Sequence, residues 1–271
     1  MKKFLIVLGL SISNFCFATD TTSSYSCEYR YTKQLDSTNN SLKFSDIMIL
    51  TSFKSSTLYY SYLRQFGQRN FENDLQKDEN SKDHTVIINS HKNGTYFLTS
   101  ESEVIEIDYL KKEMNVSDKL VENAYTYTAP LMRPVWKIEK DTMTILNQNC
   151  QKATTTFKGR NYIAWFAPSI PINIGPWLFN GLPGLILKVS DTKNEFGFEC
   201  IALNPPKSYT EVYKQYPDLQ KISKKTLQAK KKLLAQNFNE YEQSEGHTIT
   251  ENGQVPAKRP DKPYNPIELA Q

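Results

Sequence analysis

Three histidines, His84, His91 and His247, are the whole supply of imidazole in this chain. Imidazole moves protons near neutral pH and is the commonest metal ligand, so its placement decides which reactions are open. All three lie in polar segments, and no Cys-x-x-Cys or His-Glu-x-x-His spacing accompanies them. The expectation is surface histidines, no metal and no cofactor. Serine chemistry has as little to offer. There is no Gly-x-Ser-x-Gly elbow, which leaves only a convergent triad whose grouping the sequence does not display. Carboxylate pairs suited to acid–base work exist at Glu101 with Glu103 and at Glu106 with Asp108, but they alternate with apolar neighbours, the pattern of a strand's solvent face.

The run FNGLPGLILKVSD, Phe179 to Asp191, sets two glycines and a proline among apolar residues, in a chain with only 10 Gly and 13 Pro. A phosphate-cradling loop would lead into a helix and carry a following Lys and Ser or Thr. This one leads into Leu185, Ile186, Leu187 and Val189, which read as a strand. The motif Gly181, Leu182, Pro183, Gly184, Leu185 and Ile186 is therefore read as structural. Pro183 fits the second position of a type II turn, and Gly184 the third, where φ is positive. Around it, Trp165, Trp177, Phe179 and Leu182 have the chemistry to line a face for an apolar ligand or to fill the core.

The elements that must position these residues read mostly as strands. In YSCEYRYTKQL the residues Tyr25, Cys27, Tyr29 and Tyr31 fall on one face. Phe44–Phe53, Thr57–Leu63, Val86–Asn89, Gly94–Thr99 and Val104–Leu110 continue as short strands, with a polar surface loop over 65–82. Val135–Lys140 should turn at 141–144, and Gln151–Phe157 should return as Tyr162–Phe166 through a tight connection in which Gly159 and Asn161 supply positive φ. Leu185–Asp191 and Phe196–Leu203 make a further hairpin. Near the C-terminus a short helix is expected over 209–216. A second runs from an N-cap at Ser223 to Tyr241, with Leu227, Leu233, Leu234, Phe238 and Tyr241 on one face and a lysine-rich solvated face opposite. Residues 244–271, with four prolines, should be an extended tail without much core.

The first 18 residues carry Lys2 and Lys3, an apolar stretch from Phe4 to Leu10 and the small Ala18, the pattern of a secretory signal peptide. The expectation is a chain exported to the periplasm, the outer membrane or beyond. Thirty-three basic side chains face 29 acidic ones, a net charge of +4, two units of which leave with the leader. That balance excludes a nucleic-acid surface built on a concentrated basic face. Cys27, Cys150 and Cys200 remain after the leader. Three thiols allow three single bridges, and Cys150 with Cys200, in one block, is the pair carried forward beside three buried free thiols.

The block from Cys150 to Asp191 resembles the GLPGLI family of exported bacterial proteins. The likeness lies in Cys150, Lys152, Ala153, Gly159, Arg160, Ala164, Trp165, Pro171, Gly175, Pro176, Phe179 and the hexapeptide from Gly181 to Ile186. The closing YNPIE, Tyr264 to Glu268, is similar to that family's ending. The resemblance implies export and a β-dominated fold, and it assigns no catalytic residue.

Together these readings give a mainly β (β-rich α+β) chain: a curved antiparallel sheet, open like a half-barrel, with a C-terminal helix. Residues 1–18 are the leader, 19–243 one β-rich domain with its core block at 150–191, and 244–271 the tail. The expected role is a non-enzymatic envelope binding or accessory module with an apolar ligand. The alternatives are docking on an outer-membrane protein partner, through strand edges or the tail, and a hydrolase with a convergent site.

Overall fold

The computed structural model describes residues 25–36, 43–62, 88–90, 96–98, 100–204, 218–248 and 263–269, with single positions 38, 64, 250 and 261. The leader, the polar stretch 65–82 and the expected helix at 209–216 lie outside the described residues, as do His84 and His91.

The strands are β1 (Tyr25–Gln34), β2 (Lys43–Ser52), β3 (Ser56–Ser61), β4 (Ile88–Ser90), β5 (Tyr96–Leu98), β6 (Val104–Asp108), β7 (Glu113–Leu120), β8 (Asn123–Pro130), β9 (Lys137–Ile145), β10 (Gln148–Phe157), β11 (Arg160–Ala167), β12 (Leu185–Asp191), β13 (Phe196–Asn204) and β14 (Gln220–Lys221). Two helices follow, α1 (Lys224–Gln236) and α2 (Phe238–Ser244). Twelve strands form one open sheet in the order β14-β8-β7-β6-β3-β2-β1-β13-β12-β11-β10-β9, and β4 pairs only with β5. The chain is mostly β, as the alternation predicts, and the sheet is not closed into a barrel. All pairs in the large sheet are antiparallel except β14 with β8.

Two meanders build this order. One runs outward from β1, and the other starts at the far edge with β9 and runs inward to β13. They meet at the β1–β13 seam, where Cys27 lies opposite Leu203 and Tyr29 opposite Cys200 across a bulge. Cys27, Tyr29 and Tyr31 are buried as the period-two pattern requires. The β10–β11 hairpin turns on Lys158 and Gly159, at φ 51° and 81°. Lys158 thus takes the place expected of Asn161, whose side chain instead accepts the Thr156 hydroxyl. β9 does not turn at 141–144. Its Thr and Met residues stay extended, and the turn falls at Leu146 and Asn147, at φ 48° and 59°, a two-residue loop of the kind that matches strand twist.

The hexapeptide is a turn entering a strand, but not the expected one. The left-handed residue is Gly181, at φ +91° with open space around it. The Leu182 carbonyl accepts the Gly184 N–H at 2.8 Å, a bond from i to i+2 that closes a γ-turn around Pro183, whose fixed φ suits its centre. Gly184 is small for another reason: a Cβ there would stand 2.3 Å from the Ala167 carbonyl oxygen. The loop 168–184 then lies along the start of β12, with Leu185 N–H on the Ile170 carbonyl and Ile186 N–H on that of Ile174. For that reason Ile186, expected opposite Leu185 and Leu187, is as buried as they are.

Phe179 is the hub of the core. Its ring meets those of Tyr162 (4.8 Å between centroids), Trp177 (5.2 Å), Phe198 (5.8 Å), Phe157 (6.1 Å) and Trp136 (6.2 Å). Aromatic pairs in such edge and tilted arrangements contribute about 0.5–1.5 kcal/mol each beyond their burial. Ser223 caps α1 as expected, accepting the Thr226 N–H at 3.0 Å. The single helix to Tyr241 is in fact two. Asn237 ends α1 and caps α2 by accepting the Glu240 N–H, and the break turns Phe238 outward, 51% exposed. Tyr241 stays buried and donates to the Leu120 carbonyl.

Gly184→Ala should destabilise by about 1–3 kcal/mol through overpacking, whereas Gly181→Ala should cost about 1–2 kcal/mol through its left-handed backbone alone. Asn tolerates that conformation, so Gly181→Asn should recover part of the loss while Gly184→Asn should be worse than Gly184→Ala. Chemical denaturation of the four variants decides this. Equal recovery by Asn at both sites would restore the type II turn.

Candidate functional site

The residues expected to form an apolar face do not form one. Phe179 and Leu182 are 1% exposed and belong to the packed interior. Trp165 alternates to the other face of β11 from Tyr162 and Ala164, beside its cross-strand neighbours Lys152 and Lys188. Only Trp177 of the four reaches an open space, and it does so from a left-handed backbone at φ 53°. A bulky residue in that region costs of order 1–3 kcal/mol. Here the Pro176–Phe179 turn and the rings of Phe157 and Phe179 hold it in place. Cys150 and Cys200, the expected bridge, are free buried thiols, as is Cys27. The thiol that Cys200 meets is that of Cys27, across the β1–β13 seam.

The open space is a cavity of ≈ 930 Å³ between one face of the sheet, α1 and the C-terminal segment 264–269. One wall is apolar, with Phe44, Met48, Trp177 and Phe198 from the sheet side and Leu227 and Leu234 from α1. Charged groups share the lining, Lys33 standing over the Phe44 ring. Lys231 reaches in from α1 and pairs with Asp118 of β7 at 2.7 Å and with Glu103 at 2.9 Å. The Ser102 hydroxyl donates to Asp118, and Lys33 of β1 pairs with Glu101. Behind them Asp46 of β2 accepts the Glu101 N–H at 2.7 Å.

Burial pushes the Asp46 carboxyl up to about 7 against the hydrogen bonds it accepts. Burial likewise raises Glu103, with Lys231 opposing. For Lys231 burial works the other way, but Asp118 and Glu103 outweigh it and hold the ammonium well above its ordinary range. An amine so held is no general base, and Ser102 donates its proton to a carboxylate already engaged by Lys231. The arrangement is suited to holding a polar group rather than to activating a nucleophile. Among the described residues no group of three or more His, Cys, Asp or Glu side chains is placed to hold a metal ion.

Three tyrosines complete the polar wall. Tyr31, Tyr59 and Tyr127 line the cavity, each more than nine-tenths buried. The Tyr59 hydroxyl has no hydrogen-bond partner, and among the described residues none is found for Tyr31 or Tyr127. Burial raises the pKa of all three, Glu101 adding to it for Tyr31 and Tyr59 and Glu103 for Tyr127, so the phenols stay protonated at neutral pH.

The roof is fixed by Arg160 of β11. Its Nη1 meets Glu195 at 2.6 Å and Asp191 at 3.3 Å, its Nη2 meets the Asn265 side chain and the Pro266 carbonyl, and its Nε donates to the Ile267 carbonyl. The expected free tail is, over residues 263–269, a docked extended strap. Asn265 also donates to the Gln34 carbonyl, Leu269 N–H to that of Lys158, and Glu268 pairs with Lys224 and Lys158. The lysine-rich face of α1 is likewise less solvated than expected, since Lys224, Lys230 and Lys231 each reach a carboxylate. Glu101 and Glu103, read as strand decoration, lie in the cavity, while Glu106 is exposed as expected. The one signal for the charged wall was the excess of lysine on a helix with an apolar stripe, but it names no partner.

Residues 155–188 match a family described as "Protein of unknown function (Porph_ging)". The match covers the end of β10, β11 and the hexapeptide, a similarity of this block to an uncharacterised family that does not bear on the GLPGLI resemblance itself. No curated protein matches the chain. Two solved structures of PNGF-II, in P21 and C2 space groups, superpose with TM-scores of 0.47 and 0.45 at 15% identity; each alignment covers 76% of this chain and 32% of the PNGF-II chain.

Replacing Arg160 by Met should destabilise by about 3–5 kcal/mol, because Asp191 is left buried without a counter-charge. Faster amide exchange at Leu269 should accompany it, and Lys at 160 should not rescue, having no planar fork. Unchanged exchange would detach the strap from Arg160. Asp46 makes stability depend on pH. A carboxyl that binds its proton more tightly when folded favours the fold fully below its ordinary 3.8, and loses that contribution as pH rises towards about 7. The loss is on the order of 4 kcal/mol, and denaturation curves at pH 4, 5.5 and 7 should show it in the parent but not in Asp46→Asn.

Proposed function

We propose that this is an exported, non-enzymatic binding protein that takes an amphipathic small molecule into the cavity beneath α1. The observation that carries the reading is the Tyr59 hydroxyl, buried without a partner and joined in the cavity lining by Tyr31, Tyr127 and apolar side chains. A buried polar group left unpaired costs about 1–3 kcal/mol, so a phenol of this kind in the lining calls for an occupant that bonds to it. The cavity volume of ≈ 930 Å³ falls within the roughly 300–1,000 Å³ usual for ligand pockets. Export is supported by the leader-like first 18 residues and assigns the envelope or its exterior as the place of action. Of the face expected from Trp165, Trp177, Phe179 and Leu182, the site keeps only Trp177, and it has a polar end.

Native mass spectrometry of the chain from Thr19 to Gln271, purified from an exporting host, tests the proposal. The expected spectrum shows a reproducible added mass that organic solvent strips. Ala235 lines the cavity from the exposed side of α1, so Ala235→Trp should fill the space and lower occupancy by about tenfold, a change of about 1.4 kcal/mol, with the melting temperature little altered. A bare mass for the parent chain, across several hosts, would remove the ligand-binding reading.

A further inference from the structure

The polar end of the cavity is short of positive charge. Three carboxylates, those of Glu101, Glu103 and Asp118, line it around two ammonium groups, Lys33 and Lys231. Lys33 is taken by Glu101, and the single Lys231 is divided between Glu103 and Asp118. Asp46 stands behind this wall, held by the Glu101 and Ile47 N–H groups and the Ser61 hydroxyl, and with its carboxyl pushed up to about 7 it is not counted in the deficit. The other charged groups around the cavity do not correct the deficit. Glu268 is already matched by Lys224 and Lys158, and Lys225 and Lys232 stand exposed at the rim on α1. A carboxylate taken out of water without a full counter-charge is costly, and a cation is the group that relieves it.

The tyrosines supply a second, independent observation. Tyr31, Tyr59 and Tyr127 are 7%, 4% and 8% exposed and face this same end. The carboxylates of Glu101 and Glu103 act on their hydroxyls through space, yet no hydrogen bond joins them. A group seated in that gap must donate to carboxylate oxygens and to phenol oxygens together. An ammonium does both, and aromatic rings around a cation add a favourable field of their own. An anionic head would face three carboxylates, and a hydroxyl would satisfy the phenols without touching the charge deficit.

We infer that the ligand is a primary amine with an apolar tail, its ammonium seated among Tyr31, Tyr59 and Tyr127 against Glu101 and Glu103, and its tail along Met48, Leu227 and Leu234. The inference rests on the cavity being a ligand site.

Three probes of one tail length separate the two ideas: dodecylamine, dodecanol and dodecanoate, each titrated below its micellar concentration into the full mature chain at pH 7 by calorimetry. The amine should bind at least about tenfold more tightly than the alcohol and about a hundredfold more tightly than the carboxylate. Glu103→Gln should bring the amine to within about threefold of the alcohol, with circular dichroism matching the parent to show that the variant is folded. Tyr59→Phe, which leaves charge untouched, should weaken the amine several-fold. Equal or tighter binding of the alcohol or the carboxylate overturns the inference alone, as does an amine preference that survives both substitutions. Binding of none of the three overturns the cavity reading and the inference with it.

Discussion

One guanidinium, that of Arg160, is the interaction on which the rest of the site depends. It is 5% exposed, and its five N–H groups meet two carboxylates, one side-chain amide oxygen and two backbone carbonyls, with the Phe196 ring 4.4 Å from the guanidinium carbon. A buried charge is tolerated only when its donors are satisfied, and here the satisfaction is distributed. Asp191 and Glu195 belong to the turn between β12 and β13, and Asn265, Pro266 and Ile267 to the end of the chain. Asp191 in turn accepts the N–H groups of Glu195 and Phe196, so the same charge that anchors the strap also shapes that turn. A lysine would reach one or two of these acceptors; only a planar fork reaches all of them.

What Arg160 fixes on one side, the hexapeptide fixes on the other. Gly184 allows the backbone to pass against Ala167, and that contact brings loop 168–184 down on β12, where Tyr29 donates to the Ile186 carbonyl across the seam. The same loop carries Trp177 into the cavity from a strained backbone. The close packing at Gly184 and the strain at Trp177 are therefore linked through one short loop. Rigidity there lets a single aromatic side chain stand at the edge of an open space without collapsing into it.

The alternation of Cys27, Tyr29 and Tyr31, the hairpin through Gly159 and the cap at Ser223 were legible because each depends on residues near in sequence. The reason for Gly184 was not, since positive φ and close approach both call for glycine and only the neighbour, Ala167, distinguishes them. Glu103 illustrates the limit for the site. Its spacing is that of a solvent-facing strand residue, and its partner Lys231 lies 128 positions away. The strap was misread for a related reason. Its prolines forbid regular structure, but nothing in 263–269 announces that a buried arginine a hundred residues earlier holds five acceptors' worth of capacity. The cysteine pairing failed for lack of a register, which only the β1–β13 seam supplies.

The cavity itself follows from a mismatch of sizes. Seven neighbouring strands, from β8 to β13 in the sheet order, stretch over about 29 Å at about 4.8 Å per strand spacing. The lid is α1, 13 residues and so about 20 Å long, aided by the 7-residue α2 and the strap. A curved face that wide cannot be filled by one amphipathic helix, and α1 buries only Leu227 fully. Protein interiors are otherwise close-packed, and a space of this volume that is partly polar does not stay empty. A sheet evolved only as a scaffold would close the gap with larger side chains from α1, where Ala229 and Ala235 stand instead. Small residues on the lid, unbonded phenols on the floor and a roof held by a dedicated charge are the features on which the proposed ligand site rests.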